Sequence, residues 1–114
     1  MILVDTSVWI DHLRRGDEEL SALLDEGQVL VHPFVVGEIA CGSLKRRADV
    51  VAHLQRLPAA PVATEAEVHH LLEREGLHGR GLGWVDLHLL ASARLAAVPL
   101  LTRDRALAGA ARPR

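Results

Sequence analysis

Four acidic residues, spread along the whole chain, each follow or interrupt an apolar stretch. Asp5 comes directly after the run "ILV", and Asp104 follows "VPLLTR". Glu38 lies within "FVVGEIA", and Asp86 lies within "GWVDLHLL". An unpaired charge in apolar surroundings is unfavourable. Four such carboxylates in one place would resist ionisation unless a cation lay among them.

The chemistry that suits these side chains is metal-dependent hydrolysis of phosphodiester bonds. Ligands that are all oxygen, with few histidines nearby, favour Mg²⁺ or Mn²⁺ over zinc. Two such ions held by carboxylates can activate a water and neutralise charge on the leaving oxygen. In this hypothesis Asp5, Asp86 and Asp104 bind metal, and Glu38 completes the site or orients the attacking water.

Each acid also has a simpler interpretation. Ser7 could cap a helix that begins at Val8, which would make Asp5 an ordinary turn residue. Asp86 could be the N-cap of its own helix. These interpretations need a separate explanation for each placement, whereas a shared site explains them together.

Short apolar runs alternate with amphipathic segments, as in an α/β fold with a mainly parallel sheet. We expect strands at "ILV", "QVLVHP" and "VPLLT", and a further short one at "PVAT". The expected helices are "SVWIDHLRRG", "DEELSALLDEG", "FVVGEIACGSL", "KRRADVVAHLQRL", "EAEVHHLLEREG" capped by Thr64, "VDLHLLASARLAA", and a last one from Asp104. We expect one domain over residues 1–114. Sites in such sheets form at the carboxyl ends of the strands, where Asp5 and Asp104 fall.

Composition narrows the class of protein. The formal net charge is -2, which argues against a protein that holds nucleic acid by electrostatics alone. The single cysteine, Cys41, excludes an intrachain disulfide and fits a reducing compartment; we interpret it as a small core residue. No apolar run approaches the ~20 residues of a membrane span. The N-terminus does not resemble a signal peptide, so we expect a cytosolic protein.

The motifs that carry the acids resemble the PIN domain, and most closely the VapC ribonuclease toxins of prokaryotic toxin–antitoxin operons. "ILVDTSVWIDHL", "VVGEIACG", "GWVDLHLLASA" and "LLTRD" occur in the family's order and span nearly the whole chain. The resemblance implies a three-layer α/β/α fold. It also assigns Asp5, Glu38, Asp86 and Asp104 to the family's acidic quartet, which binds Mg²⁺ or Mn²⁺.

The resemblance further implies supporting hydroxyls, a substrate and partners. Thr6 or Ser7, and Thr102, match positions whose hydroxyls support the metal site. The implied activity is endonucleolytic cleavage of RNA, which would leave 5′-phosphate and 3′-hydroxyl ends. A cognate VapB antitoxin and a homodimer are implied as well. The chain departs from the family at "ALAGAARPR", where members usually carry another short strand. That departure affects the outer edge of the sheet and part of the antitoxin surface, but not the acids.

Two other functions are compatible with parts of the sequence. A haloacid-dehalogenase-like phosphatase also begins with a strand that ends in Asp, but it needs a second acid two residues later as general acid. Ser7 occupies that position here. The other alternative is a non-catalytic module of the same fold, whose acids only cap helices and which binds nucleic acid or protein without cutting.

The basic residues and histidines carry weaker signals. "GLHGRGLG" lacks the spacing and the lysine of a phosphate-binding loop, so we interpret it as a flexible entry to the Asp86 helix. Arg80 in that stretch, and Arg103 and Arg105 beside Asp104, are candidate RNA contacts. The seven histidines show no metal-ligand spacing, and we expect most of them at the surface or its boundary.

Overall fold

The computed structural model describes residues 1–112, which form a three-stranded sheet and seven helices. The strands are β1 (Ile2–Val4), β2 (Val29–Leu30) and β3 (Leu100–Leu101). The helices are α1 (Thr6–Arg15), α2 (Glu18–Asp25), α3 (Pro33–Ala40), α4 (Arg47–Gln55), α5 (Glu65–Arg74), α6 (Trp84–Ala96) and α7 (Arg105–Ala111). The predicted α/β class is confirmed.

β1 is the central strand and pairs in parallel with both neighbours, in the order β2-β1-β3. Leu3 is in register with Leu30 on one side and with Leu100 on the other. At the end of β1 the Asp5 N–H donates to the Leu101 carbonyl at 2.9 Å. The carboxyl ends of β1 and β3 therefore lie side by side, and the loops that follow them start at the same edge.

Helices cover both faces of β1. Leu3 and Val4 are fully buried and, as adjacent strand residues, point to opposite faces. Val4 packs in a cluster with side chains of α1, α2, α3 and α4, whereas Leu3 packs with Ala93 of α6. In α6 every residue from Leu87 to Ala93 is buried. A short strand buried on both faces explains why "ILV" is apolar throughout.

Local capping fixes several helix starts. The Thr64 hydroxyl accepts from the Glu67 N–H, and the Glu67 carboxylate accepts from the Thr64 N–H, which confirms the predicted cap of α5. Asp17 caps α2 by accepting from the Leu20 N–H at 2.9 Å. Asp104 caps α7 in the same way, so this helix begins where the sequence predicts.

The structure corrects two predicted elements. α1 begins at Thr6, with Asp5 in the N-cap position, so Ser7 is not the cap of a helix from Val8. "PVAT" is not a strand. Ala59, which precedes this segment, pairs with Val31 in an isolated parallel bridge. A bridge of one residue pair is too short to produce an alternating pattern of apolar and polar residues.

One prediction about burial is wrong: Cys41 is exposed at the end of α3, not in the core. Most histidines are exposed or half-buried, as expected, and the two buried ones are His32 and His88, which both contact aromatic rings. Within residues 1–112 no helix is long and apolar enough to cross a membrane. The last two residues of "ALAGAARPR" lie outside the described residues, and α7 spans most of the rest.

Candidate active site

Asp5 is a buried carboxylate at the carboxyl end of the central strand. Its side chain is 7% exposed and makes no capping hydrogen bond to α1. Instead Oδ2 accepts two hydroxyl hydrogen bonds, from Ser7 at 2.8 Å and from Thr102 at 2.7 Å. Oδ1 accepts none from residues 1–112. One oxygen is thus held by the protein, and the other is available to a ligand.

The same hydroxyls fasten the loop after β3 to the Asp5 edge. Thr102 Oγ1 accepts from the Asp104 N–H at 3.0 Å, and Ser7 Oγ accepts from the Arg103 N–H at 3.0 Å. Each hydroxyl donates to the Asp5 carboxylate and accepts from the loop backbone. Asp5 and the "TRD" loop therefore form one hydrogen-bonded unit.

Glu38 joins this unit through Thr6. The Thr6 hydroxyl donates to Glu38 Oε1 at 2.7 Å, although the two residues lie 32 positions apart. Glu38 is exposed on α3, and Thr6 is the first residue of α1, directly after Asp5. The structure thus brings together Asp5, Glu38, the start of α7 and the hydroxyls of Thr6, Ser7 and Thr102.

Asp104 has both a capping role and an exposed side chain. Its Oδ1 accepts from the Leu107 N–H at 2.9 Å, one turn into α7. No donor among the described residues contacts Oδ2. Capping therefore uses one oxygen of this carboxylate and leaves the other available.

Asp86 lies in the first turn of α6, and its half-buried side chain caps that turn. Oδ2 accepts from the Gly83 N–H at 2.9 Å. The helix begins at Trp84, so Asp86 is its third residue and not the N-cap that the simpler interpretation assumes. Within the described part of the chain no hydrogen bond joins Asp86 to the other three acids. The preceding residue, Val85, lines a surface hollow together with Glu38, which places the start of α6 beside α3.

These acids do not form a closed metal cage. Among residues 1–112 no three acidic, histidine or cysteine side chains surround a common point at ligand distance. Mg²⁺ commonly keeps several waters and uses only one or two protein carboxylates. The donor chemistry present, carboxylates with unused oxygens at one edge of the sheet, fits such a hydrated ion.

The three candidate arginines differ in their surroundings. The Arg103 guanidinium contacts Asp17 at 2.6 Å and Glu19 at 3.3 Å, which ties the loop after β3 to the start of α2. These contacts raise the pKa of Arg103. The Leu20 N–H, and then Arg103, lower the pKa of Asp17. All three arginines are exposed, and Arg103 is in addition engaged by protein acids.

A group of rings beside the acids is absent from the sequence predictions. Phe34 of α3 and Trp84 of α6 both contact the buried ring of His88, with centroids 4.9 and 5.1 Å away. The rings of His32 and Phe34 are also in contact, with their centroids 4.9 Å apart. Burial, and then electrostatic repulsion from the neighbouring His88, lower the pKa of His32 to about 4. The available signal was the placement of "HPF" and "WVDLH" just before or around two of the acids.

The chain is similar to known proteins over nearly its whole length. The model of the PIN domain family matches residues 2–113. Ribonuclease VapC32, from the CDC 1551 and H37Rv strains of Mycobacterium tuberculosis, is 49% identical over 111 residues, which is 96% of this chain and 90% of that relative.

Two solved structures share the fold. Mycobacterium tuberculosis VapC20, described as a sarcin–ricin loop cleaving toxin, has a TM-score of 0.70 and 23% identity, covering 96% of this chain and 95% of that one. FitAcB from Neisseria gonorrhoeae has a TM-score of 0.68 and 23% identity, covering 97% of this chain and 93% of that one.

Proposed function

Since the chain belongs to the PIN-domain family and, within it, to the VapC ribonucleases, we propose that it is a metal-dependent endoribonuclease and the toxin of a toxin–antitoxin pair. The observation that carries this proposal is the Asp5 carboxylate. One of its oxygens is fixed by two hydroxyls, of which one belongs to the loop after β3, and the other oxygen accepts no hydrogen bond from residues 1–112. A residue that served only as a turn would not need this support from a segment at the other end of the chain.

In this proposal Asp5, Asp86 and Asp104 hold Mg²⁺ or Mn²⁺. When bound, the metal supplies an activated water and neutralises charge on the leaving oxygen. Ser7 and Thr102 keep the Asp5 carboxylate oriented. Glu38, held by Thr6, orients the attacking water. Hydrolysis in this way leaves a 5′-phosphate and a 3′-hydroxyl.

The proposed partners are RNA, a small VapB-type antitoxin and a second copy of this chain. One solved structure of this fold is described as FitAB bound to a DNA fragment. We expect the antitoxin to present an apolar helix and an arginine to the acidic edge, because a guanidinium pairs bidentately with carboxylates. A cytosolic location follows from an RNA substrate and such a partner.

The direct test is cleavage of end-labelled structured RNA by the purified protein, in Mn²⁺ and in EDTA. We expect discrete cuts with 5′-phosphate ends in Mn²⁺ and intact RNA in EDTA. Asp5→Asn is the matched control, because it keeps the size of the side chain and can still accept from Ser7 and Thr102. RNA that is bound but never cut would favour the non-catalytic module. Cutting that persists in EDTA would contradict the metal role.

A further inference from the structure

Two of the three aromatic residues of the chain are exposed beside the acidic edge. The chain has two tryptophans, one phenylalanine and no tyrosine. Trp9 is buried, whereas Phe34 is 37% and Trp84 40% exposed. Large rings left in contact with water often mark a surface that binds a partner.

Packing holds these two rings in place. His88, itself 4% exposed, contacts both of them, and His69 of α5 contacts Trp84 with centroids 4.8 Å apart. Four rings from α3, α5 and α6 thus form a contiguous group. Because neighbouring rings limit the side-chain rotamers, little conformational entropy remains to be lost when a flat ligand binds.

This group continues into the site. Phe34 lies one helical turn before Glu38 on α3, so the two side chains share a helix face. Both line the hollow that Val85 of α6 completes. Trp84 lies two residues before Asp86, so the two side chains point to different sides of α6, and Trp84 joins the group through its contact with His88. A nucleotide chain that leaves Glu38 along this group would meet Phe34 first and then Trp84.

We infer that Phe34 and Trp84 form a stacking surface for unpaired RNA bases next to the phosphate that is cut; the inference rests on the proposed function. The net charge of -2 and the four acids argue against RNA binding that depends mainly on attraction of phosphates. Stacking on aromatic rings is the other main source of affinity for single strands, and it tolerates any sequence because every base has a π-face. The occupant is thus a single-stranded or unpaired segment, not a duplex.

The test measures binding of a short single-stranded oligoadenylate in EDTA, where the proposed cleavage does not occur. Phe34→Leu and Trp84→Leu remove a ring but keep an apolar side chain, and each should weaken binding about tenfold. Trp84→Phe keeps a ring and should restore most of the affinity. Leu95→Ala, a change at an exposed position near the other end of α6, is the matched control and should bind as the wild type does.

Two further measurements separate stacking from a general defect. The oligoadenylate should quench the fluorescence of the wild type and of Phe34→Leu, since Trp84 is exposed and Trp9 is buried, and the quenching should vanish in Trp84→Phe. The same strand paired with oligouridylate should bind equally weakly to the wild type and to both leucine variants. In Mn²⁺ the leucine variants should raise KM for a cleaved RNA and leave kcat unchanged.

The inference is overturned if the folded leucine variants bind the single strand as tightly as the wild type. It is also overturned if Trp84→Phe loses as much affinity as Trp84→Leu. If the leucine variants lost binding to the VapB-type antitoxin but bound RNA as the wild type does, the surface of Phe34 and Trp84 would be assigned to the antitoxin instead. A wild type that stacks the single strand but cuts no RNA in Mn²⁺ would refute the proposed function and leave the stacking surface standing.

Discussion

Two hydroxyls, those of Ser7 and Thr102, orient the Asp5 carboxylate. Thr102→Val removes the 2.7 Å hydrogen bond to Asp5 and the acceptor for the Asp104 N–H, while the side chain keeps its shape. Loss of such a supporting contact typically lowers metal affinity or activity by about 10–100-fold. We expect a fall of that size in kcat/KM for RNA cleavage in Mn²⁺.

The matched control is Thr64→Val. It removes a threonine hydroxyl that caps α5, so it should lower the free energy of unfolding by about 1 kcal/mol and leave cleavage unchanged. Melting curves recorded beside the cleavage assay separate the two effects. Equal loss of activity in both variants would mean that stability, and not the position of Asp5, limits cleavage.

Asp86 combines a capping contact with a proposed metal ligand, and substitution can separate the two. Asp86→Asn keeps an oxygen acceptor for the Gly83 N–H but removes the charge. The lost interaction with the helix dipole opposes the relief of repulsion among the acids, so the unfolding free energy should change by less than about 1 kcal/mol. Cleavage should fall by orders of magnitude, because the metal supplies the nucleophile. The gain in melting temperature that Mn²⁺ gives should shrink.

Asp86→Ala completes the comparison because it also removes the cap. It should destabilise the metal-free protein by about 1 kcal/mol more than Asp86→Asn does. Differential scanning fluorimetry with and without Mn²⁺ measures both differences. Wild-type cutting and wild-type metal stabilisation in Asp86→Asn would reduce Asp86 to a helix-capping residue.

Helix α3 depends on a histidine that must stay neutral. His32 Nδ1 accepts from the Phe34 N–H at 3.0 Å, which a protonated ring cannot do. The pKa of His32 is about 4, against 6.5 for a free histidine. At a pH between these two pKa values, His32 is protonated in most unfolded chains but in few native ones. The free energy of unfolding should therefore fall as the pH drops through this window, by on the order of 2–3 kcal/mol.

Urea unfolding of the wild type and of His32→Asn at about pH 7 and about pH 4.5 measures this contribution. Asparagine can cap α3 but does not titrate in this range. The variant should lose less stability between the two pH values, even though its stability at neutral pH is lower. Parallel losses would show that other groups, such as the carboxylates, account for the acid sensitivity.

The predictability of an element depended on how far apart its determinants lie in the sequence. The cap of α5 needs Thr64 and Glu67, three positions apart, and the sequence showed it directly. The hydrogen bond from Thr102 to Asp5 spans 97 positions, and no local pattern reports it. The burial of His88 depends on Phe34 of another helix, so the periodicity of α6 alone could not reveal it.

At the level of the whole chain, topology explains why two of the four acids could be predicted to lie at one edge of the sheet. With β1 in the centre and both neighbours parallel, the residues that follow β1 and β3 must lie at one edge. That rule brings Asp5 and Asp104 to the same edge from the strand pattern alone. Glu38 and Asp86 lie on helices, whose approach to this edge depends on packing that "FVVGEIA" and "WVDLHLL" do not encode individually.

An uninhibited ribonuclease of this kind should be harmful to the cell that makes it. Asp5 Oδ1 accepts no hydrogen bond from residues 1–112, and the proposed inhibitor is a separate antitoxin. We expect the wild type to arrest growth when expressed alone, and Asp5→Asn, expressed to the same level, to permit growth.

A small protein encoded beside the gene should restore growth. Its arginine is expected to pair with the acids, so a variant of that protein with methionine in place of the arginine should no longer restore growth. Growth curves with quantified soluble protein provide the measurement. Unimpaired growth with abundant, soluble, full-length wild type in several hosts would contradict the toxin assignment, while the cleavage assay would still decide whether the protein is a nuclease.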